Sequence, residues 1–407
     1  MILYNIGIYL YSIVLYILFP FSRKPRKIVK GSWVVSRILH QQMEKDKEYI
    51  WFHAASLGEF EQGRPLIERI RNEHPEYKII LTFFSPSGYE VRKNYQGADI
   101  VCYLPMDTKI NAKRFIHYVK PKMVFFIKYE FWKNYLDTLY EEGIPVYSIS
   151  SIFRKKQIFF KWYGWIYRRV LKDFRHLYVQ NETSKRFLSK IDITNVTVVG
   201  DTRFDRVLQI KEEAKILPYV EKFKGTVPVL VAGSSWSPDE DIFIEYFNTH
   251  PKMKLIIAPH VIDENHVVEI IDKLKRPYMR LSRMKESKLT EVDCLIIDSF
   301  GLLSSIYRYG EMAYIGGGFG VGIHNLLEAA VYGIPVIFGP KHQKFMEAQG
   351  LIDENGGFCI NSYDEFATLM DLFLYKDDYL RESGFNAGNY VHSRSGATER
   401  VLSSIQF

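Results

Sequence analysis

The sequence predicts an α/β protein of two doubly wound, Rossmann-like domains, each built on a parallel β-sheet with helices on both faces. The chain has 407 residues, which is more than one hydrophobic core usually supports. Short apolar runs alternate with helical patterns along most of its length, as they do in βαβ units. The alternation pauses over residues 207–226, a polar stretch without a strand-like run. We therefore expect a first domain over residues 31–210 and a second over residues 211–407, whose C-terminal helix can pack back on the first.

The individual strands are predicted from the apolar runs. In the first half these are Tyr49–Phe52, Lys78–Phe83, Ile100–Tyr103, Met123–Ile127, Val146–Ile149, Leu177–Val179 and Thr197–Val199. In the second half they are Val227–Ala232, Lys254–Ala258, Cys294–Ile297, Glu311–Ile315 and Pro335–Phe338. Helical patterns, such as residues 62–73 and 110–118, lie between them. Because ligands of such sheets bind beyond the carboxyl ends of the strands, we expect the strand ends of both domains to line one cleft.

Charge is distributed unevenly between the two halves. The whole chain carries +7, but residues 1–210 alone carry +14 and the remainder carries −7. A basic half indicates an anionic partner, either nucleic acid or an anionic membrane surface. The three cysteines are far apart and have no CxxC spacing, which argues against a disulfide scaffold and against a zinc site.

The N-terminal segment, MILYNIGIYLYSIVLYILFPF, contains no charged residue. At about 1.5 Å per residue, a helix of residues 1–21 could just cross a bilayer core of roughly 30 Å. Lys and Arg residues follow between positions 23 and 30, so the positive-inside rule leaves the rest of the chain in the cytoplasm. We interpret residues 1–30 as a hydrophobic anchor helix with a basic linker. Whether the helix spans the bilayer or lies in its interface stays open, and the alternative is a core helix of the first domain.

A second basic segment covers residues 152–176, where the strand rhythm breaks. Eight Lys and Arg residues and one acid lie between Arg154 and Arg175, interleaved with aromatic side chains. Such a segment can bind an anionic membrane surface or single-stranded nucleic acid, or form a solvated helix face with an apolar back. The N-terminal anchor favours the membrane, and we expect no nucleic-acid partner.

The second half carries two strand-to-helix turns typical of anion binding. Glycines 316–318, 320 and 322 follow a predicted strand, and a helix start follows them, with Asn325 and Glu328 at the spacing of a capping box. Tight strand–helix packing is the other explanation of these glycines. In the other turn, Gly233 and Ser234 are candidate phosphate or carboxylate contacts. The acids at 239–241 resemble a metal-binding DxD motif, but a helix cap with Ser237 at the N-cap explains them more simply, so we predict no metal.

The first half has two candidate carboxylates. Glu59 lies between a predicted strand and a helical pattern, three residues after Ser56. That spacing fits a capping box, but a carboxylate at a strand's carboxyl end also fits a catalytic base. Glu130 lies in the sequence KYEFW, directly after the strand Met123–Ile127, where a rim salt bridge is the alternative to a site.

These motifs together resemble the Kdo transferases, membrane-associated sugar transferases of Gram-negative bacteria. The resemblance runs over nearly the whole chain, in the motifs HAASLGEFEQGRPLIERI, FFSPSGYE, YLPMDT, IKYEFWKNYL, QNETSKRFL, VVGDTRFDRV, VAGSSWSPDE, IIAPH, IIDSFGLLSSIYRYGEMAYIGGGFGVGIHNLLEAAVYGIPVIFGP and FMEAQGL. It implies a GT-B glycosyltransferase fold. It also implies an inverting transfer of 3-deoxy-D-manno-octulosonic acid (Kdo) from CMP-Kdo to the lipid A precursor, lipid IVA, at the cytoplasmic side of the inner membrane, without metal or cofactor.

The resemblance also implies roles for individual residues. Glu59 matches the catalytic base of the family, and Glu130 matches a second glutamate of the acceptor half. The positions that match CMP contacts are Pro259, His260, Phe300, Gly301, Leu302, Asn325, Leu326, Leu327 and Glu328. Glu328 would hold the ribose hydroxyls. This chain lacks the arginine that many members carry between the equivalents of Pro259 and His260, and it has Asp298–Leu302 where many have Asp-Thr-x-Gly-Glu.

Two other functions fit parts of the sequence. The first is another GT-B glycosyltransferase, which would use a UDP-sugar donor and a membrane lipid acceptor. The second is a membrane-bound nucleic-acid-binding protein that would use residues 152–176, but it leaves the glycine-rich turns without a role.

Overall fold

The computed structural model describes residues 2–407, which divide into two compact units. The first contains the residues up to Arg206 together with Ser395–Phe407, and the second contains Val207–Arg394. The division at 206/207 lies close to the predicted boundary at 210/211. Each unit is a parallel sheet with helices packed against it, so the predicted α/β class is confirmed.

The first unit is built on seven parallel strands in the order β3-β2-β1-β4-β5-β6-β7. The strands are β1 (Tyr49–Ala54), β2 (Lys78–Phe83), β3 (Ile100–Tyr103), β4 (Met123–Ile127), β5 (Val146–Ser151), β6 (His176–Val179) and β7 (Val196–Val198). The helices are α1 (Ile2–Leu18), α2 (Arg23–Gln42), α3 (Leu57–Glu73), α4 (Pro86–Arg92), α5 (Lys109–Val119), α6 (Lys133–Glu141), α7 (Trp165–Lys172), α8 (Glu182–Ser189) and α9 (Thr202–Glu212), which leads into the second unit.

The sheet of the first unit is covered on both faces, as near-continuous apolar strands require. Every residue of β1 and of β4 is buried. One apolar cluster contains Trp51 and Phe126, and the other contains Phe52 and Phe125. Adjacent residues of each strand therefore point to opposite faces, and the polar loops collect at the strand ends.

The second unit has the same architecture, with the strand order β10-β11-β9-β8-β12-β13-β14. Its strands are β8 (Val229–Ser235), β9 (Lys254–Pro259), β10 (Tyr278–Arg280), β11 (Cys294–Ile296), β12 (Met312–Ile315), β13 (Val336–Phe338) and β14 (Gly357–Cys359). Its helices are α10 (Pro218–Lys224), α11 (Ser237–Thr249), α12 (Glu264–Lys273), α13 (Leu303–Ile306), α14 (Leu327–Ala330), α15 (Met346–Asp353), α16 (Tyr363–Tyr375) and α17 (Asp377–Arg394). Helix α18 (Ala397–Leu402) belongs to the first unit.

The N-terminal segment forms two helices. The basic residues after position 22 lie in α2 and do not form an irregular linker. Within residues 2–407, no single helix has both the length and the apolar composition needed to cross a membrane. Residues 3–18 and 23–42 meet that test only as a pair, and this pair is bent by 115°.

Residues 152–176 form a 3₁₀ turn (Ile158–Phe160) and the helix α7. Their aromatic side chains differ in exposure. Phe153 and Phe159 are buried in the apolar cluster of the first unit, and Phe160 and Tyr167 pack against it partly buried, whereas Trp162, Tyr163 and Trp165 are exposed. The three exposed side chains are accessible to a membrane or to another partner.

Candidate active site

Glu59 lies in the first turn of α3 and is partly exposed. Ser56 occupies the N-cap position but accepts no hydrogen bond from the helix; its hydroxyl donates to Oε2 of Glu59 instead. The reciprocal capping box that the spacing predicts is therefore not formed. The carboxylate lies in the first turn of α3, at the positive end of the helix dipole.

Glu130 lies in the loop between β4 and α6, and its side chain is 13 % exposed. Its Oε2 accepts a hydrogen bond of 2.5 Å from the indole Nε1 of Trp132. The same oxygen is 3.4 Å from Nε2 of His53, a fully buried residue of β1. Glu130 therefore faces neighbouring side chains through one of its two oxygens, and within residues 2–407 it forms no salt bridge with a Lys or Arg at the surface.

The strand register brings these two carboxylates to the same edge of the sheet. Strands β1 and β4 are parallel neighbours, and His53 pairs with Phe126 across them. Glu59 and Glu130 follow the carboxyl ends of β1 and β4 respectively. Two loops that leave adjacent parallel strands at one edge form the usual site geometry of α/β folds.

Cationic side chains surround Tyr129, which precedes Glu130. The ammonium of Lys128 is 5.5 Å from the ring centre of Tyr129, and the guanidinium carbon of Arg154 is 6.0 Å from it. Lys128 has a φ of 68°, which is uncommon for a residue with a side chain. Burial raises the pKa of Tyr129, and Arg154 opposes that rise. This part of the edge is suited to an anionic group.

The candidate donor residues of the second unit lie at or just beyond the carboxyl ends of four of its strands. Ser234 is the last residue but one of β8 and has a φ of 54°, Pro259 ends β9, and the exposed His260 follows it. Residues 300–302 follow β11, and residues 325–328 follow β12. The side chain of Phe300 is 80 % exposed. The sheet order places β11, β9, β8 and β12 next to one another, so all these loops share one edge.

Several of these candidates are covered by the protein itself. A Cβ at Gly233 would lie 2.0 Å from the hydroxyl of Tyr307, which is buried. Leu326 and Leu327 are buried as well. The side chains of Leu326 and Leu327 therefore support the loop from within, and a ligand at this edge would meet the exposed Asn325.

Asn325 and Glu328 contact each other, but they do not form the predicted capping box. Helix α14 begins at Leu327 with Leu326 at its N-cap position. The Nδ2 of Asn325 donates to Oε1 of Glu328 over 2.8 Å, and its Oδ1 accepts from the backbone N–H of Leu327 over 3.2 Å. The amide thus holds the partly exposed carboxylate at the edge of the site.

The glycine-rich loop after β12 has a packing explanation. A Cβ at Gly318 would lie 2.5 Å from the backbone of Gly339, and one at Gly317 would lie 2.3 Å from the carbonyl oxygen of Gly322. Gly317 also has a φ of 93°. At Gly320, in contrast, the nearest atom would be 3.9 Å away. Close packing thus explains Gly317 and Gly318, so the number of glycines is by itself weak support for a ligand.

Three aromatic rings at the same edge were not predicted as a group. The ring centres of Trp236 and His260 are 4.8 Å apart, and those of His260 and His324 are 4.4 Å apart. The indole Nε1 of Trp236 donates to Nε2 of His324 over 3.3 Å. Burial lowers the pKa of His324, and the neighbouring His260 lowers it further. The rings come from three different loops, so no local sequence signal connects them.

The acids at 239 and 240 are engaged within the fold. Asp239 accepts hydrogen bonds from the backbone N–H groups of Trp236 and Gly317 and from the hydroxyl of Tyr314. Glu240 accepts 2.8 Å and 3.0 Å hydrogen bonds from Ser235 and His266. The helix therefore begins one residue earlier than predicted, with Trp236 at the N-cap position and Asp239 as the capping acid. Residues 2–407 contain no group of three or more His, Cys, Asp or Glu side chains arranged to hold a metal.

Comparison with known proteins shows the family of this chain. Residues 34–206 match a family model described as 3-deoxy-D-manno-octulosonic-acid transferase (Kdo transferase). A 3-deoxy-D-manno-octulosonic acid transferase of Aquifex aeolicus is 30% identical over 343 residues, which is 82% of this chain and 88% of that protein. The chain belongs to the Kdo transferase family. The transferase of Haemophilus influenzae is 26% identical over 373 residues, covering 87% of this chain and 85% of the relative.

Solved structures show the fold of this Kdo transferase. A UDP-GlcNAc 2-epimerase from Neisseria meningitidis, bound to UDP-GlcNAc, matches with a TM-score of 0.58 at 16% identity over 88% of this chain and all of that one. A glycosyltransferase from Rickettsia africae matches with a TM-score of 0.56 at 12% identity, over 88% and 97% of the two chains. The two seven-stranded parallel sheets are those of the GT-B glycosyltransferase fold.

In this Kdo transferase, sequence reasoning missed His53, although it begins the motif that contains Glu59. His53 is buried on a strand, which is ordinary for a structural histidine. The one available signal is its place in the last two residues of β1, just before a site loop. Its contact with Glu130 depends on the pairing of β1 with β4, and these strands are separated in sequence by β2 and β3.

Proposed function

We propose that this Kdo transferase transfers Kdo from CMP-Kdo to the lipid A precursor, lipid IVA, with inversion and without a metal. Family membership supports the transferred sugar. The observation that carries the mechanism is the pair of glutamates at one edge of the first sheet. One of them, Glu59, lies in a helix N-terminus, and its single recorded partner within residues 2–407 is the hydroxyl of Ser56. We assign Glu59 as the general base and Glu130 as the second carboxylate of the acceptor side.

The transfer needs one proton to be removed as one bond forms and another breaks. Glu59 takes the proton from an acceptor sugar hydroxyl, whose oxygen attacks the anomeric carbon of Kdo from the face opposite CMP. The bond between that carbon and the phosphate oxygen breaks, and CMP leaves as an anion. A carboxylate within about 3 Å of the hydroxyl contributes on the order of 10²–10⁴-fold to such a step.

The donor is assigned to the loops at the carboxyl edge of the second sheet. The exposed residues of these loops, His260, Phe300, Gly301 and Asn325, are accessible to a nucleotide. The hydrogen bond from Asn325 fixes the carboxylate of Glu328, which supports its assignment to the ribose hydroxyls. The CMP leaving group needs mainly electrostatic stabilisation, which backbone N–H groups and cationic side chains can supply.

The acceptor is assigned to the first unit, which is basic and presents cations beside Glu130. A phosphorylated glycolipid lies in a membrane, and the exposed apolar side chains of α1 and of residues 162–165 support attachment there. We place the protein at the inner membrane with its two units on the cytoplasmic side, attached through residues 1–21 and 152–176.

Mass spectrometry of the product tests the reaction and the base together. Tetraacylated lipid A precursor is incubated with CMP-Kdo, generated in situ, and with wild type, Glu59→Gln or Glu73→Gln. Glu73 ends the same helix, where it pairs with Arg69, and serves as the matched control. We expect Kdo addition by wild type and by the control, and a rate lower by about 10²–10⁴-fold for Glu59→Gln.

Each other result has a definite meaning. A Glu59→Gln protein that is folded and as active as wild type removes the base assignment but leaves the reaction standing. No product from wild type contradicts the donor or the acceptor. In that case, competition of CMP and UDP for the protein shows whether a UDP-sugar is the donor.

A further inference from the structure

The groups around the buried His53 limit which of its ring nitrogens can carry a proton. It is 0 % exposed, and its ring lies edge-on to the rings of Phe126, at 5.5 Å, and Trp132, at 6.0 Å. Its Nδ1 is 2.8 Å from the hydroxyl of Thr82, the residue that pairs with it on β2. The only charged group that the structure records against the imidazole, within residues 2–407, is Glu130.

The hydroxyl of Thr82 permits either proton state of Nδ1. It accepts a hydrogen bond of 2.8 Å from the indole Nε1 of Trp51, and indole nitrogen can only donate. Its own proton can point to the carbonyl oxygen of Phe52, 3.3 Å away, in which case Nδ1 donates to Thr82. Alternatively, the proton can point to Nδ1, which then accepts. The Thr82 contact is satisfied in both arrangements.

The other ring nitrogen faces Glu130. Nε2 of His53 makes no hydrogen bond within residues 2–407, and Oε2 of Glu130 lies 3.4 Å from it. If Nε2 carried a lone pair, it would face a carboxylate oxygen without a proton between them. That arrangement is unfavourable, because the buried Nε2 would be left without any hydrogen bond. A proton must therefore lie between Nε2 and Oε2.

The proton belongs on the histidine. Oε2 already accepts a hydrogen bond of 2.5 Å from the indole Nε1 of Trp132, so it acts as an acceptor in this contact. We propose that His53 is a positioning residue of the transferase, whose Nε2–H holds the Glu130 carboxylate in place through Oε2 and leaves Oε1 for the acceptor. No hydrogen bond to Oε1 is recorded within residues 2–407.

The inference rests on the proposed function only for its catalytic half. It gives the two carboxylates different tasks: Glu59, bound by a hydroxyl alone, takes the proton, whereas Glu130, held by two N–H donors, orients the acceptor. Two carboxylates at one site commonly divide their roles in this way, because their surroundings differ. The position of the proton on His53 is independent of the substrate.

Nitrogen-15 NMR of histidine-labelled full-length protein tests the proton directly. The ring signals of His53 are identified by their absence in His53→Gln. We expect Nε2 to be protonated in wild type at neutral pH, and the Nε2 signal to shift in Glu130→Gln. An unprotonated Nε2 in wild type overturns the inference, whether or not the protein transfers Kdo.

Kinetics with CMP-Kdo and lipid IVA test the positioning role. A glutamine at 53 can place an amide N–H where Nε2 lies, whereas an asparagine can reach only the position of Nδ1. We therefore expect His53→Gln to keep most of the kcat and His53→Asn to lose about 10²-fold, the cost of a misplaced catalytic group. The KM for CMP-Kdo should stay unchanged in both variants.

A double mutant separates positioning from a general loss of structure. In a Glu130→Gln background, His53→Asn should cost little more, because the carboxylate that it positions is absent. An equal loss in both backgrounds, or a His53→Asn enzyme as active as His53→Gln, contradicts the positioning role. If wild type transfers no Kdo, the proposed function fails, and the NMR result alone decides where the proton lies.

Discussion

The surroundings of an acidic side chain set its protonation state, as Asp173 of the first unit shows. Glu59 and Glu130 lie at the exposed edge and are held by donors. Asp173 follows α7 and has a buried oxygen without a donor within residues 2–407. Burial raises the pKa of Asp173 to about 7, the nearby carboxylate of Asp137 raises it further, and Lys133 opposes the rise. The folded protein thus favours the protonated form of this acid.

Replacing Asp173 with asparagine should stabilise the protein at high pH and not at low pH. The raised pKa means that the contribution of Asp173 to stability is fully present below about pH 4, the range of an unfolded aspartate, and is lost as pH rises through about 7. The melting temperature of Asp173→Asn, relative to wild type, should increase from pH 4 to pH 7 and level off above pH 8. The same substitution at the exposed Asp46 is the control. A difference that is constant with pH contradicts the assigned protonation.

Helix α1 is attached to the first unit partly through polar groups of its first turn. The hydroxyl of Tyr4 donates a hydrogen bond of 2.5 Å to Oδ2 of Asp107, and Nδ2 of Asn134 donates to Oδ1 of Asn5 over 2.9 Å. Burial raises the pKa of Asp107 to about 6, and the hydrogen bond from Tyr4 opposes the rise. Farther along, most large apolar side chains of the helix are exposed.

Tyr4→Phe should loosen this helix without unfolding the unit. The substitution removes one hydrogen bond to a carboxylate, a type of bond that contributes about 1.5–3 kcal/mol, and it also removes the acceptor of the backbone N–H of Lys133. We expect faster hydrogen exchange in residues 2–10 and at Lys133, and unchanged exchange in α5 and in the rest of α6. Tyr9→Phe, at an exposed position of the same helix, should leave the exchange of residues 2–10 as in wild type. Equal exchange in both variants would show that apolar contacts alone hold α1.

The sequence predicts the strands that are continuous apolar runs better than the shortest strands and the site. The strands β2, β3 and β4 begin and end at the predicted residues, because each is a continuous apolar run between two helices. Strands β10 and β14 were missed, since each is three residues long, lies at the edge of the second sheet and is only partly buried. The caps at Ser56 and Asn325 were wrong in detail because side chains can bond to one another as well as to the backbone.

The contacts within the site could not be predicted from the sequence pattern, because they join residues that are distant in sequence. The motif around Glu59 indicated a functional residue, but nothing local connects Glu130 with His53. The contact needs the pairing of β1 with β4, which the apolar pattern does not specify. In the same way, Trp236, His260 and His324 come from three loops.

At the scale of the whole molecule, the first unit is made of two separate parts of the chain. Asp205 accepts hydrogen bonds from the backbone N–H groups of Gly396, at 2.5 Å, and Thr398, at 2.6 Å. The ring of Phe407 stacks on His74 with 4.0 Å between centres. Val401 and Ile405 belong to an apolar cluster of the first unit. The C-terminal residues are therefore part of its core.

Deleting residues 395–407 should destabilise the first unit and spare the second. Apolar side chains of α3 and β1 would lose partners, so their backbone amides should exchange faster with solvent. Amides of β8 and β9 should keep the exchange rates of wild type. Hydrogen exchange followed by mass spectrometry of peptides measures both units in one sample. Faster exchange throughout both units would contradict the expectation that residues 395–407 stabilise the first unit alone.

This arrangement also sets the order in which the protein can be completed during translation. The ribosome makes residues 395–407 only after the whole of the second unit, although they are needed by the first. The second unit is continuous in sequence and can fold as soon as it emerges, whereas the first unit stays unfinished with part of its apolar core open. A nascent chain held in that state needs protection from aggregation, and α1, with its outward apolar side chains, is already outside the ribosome by then.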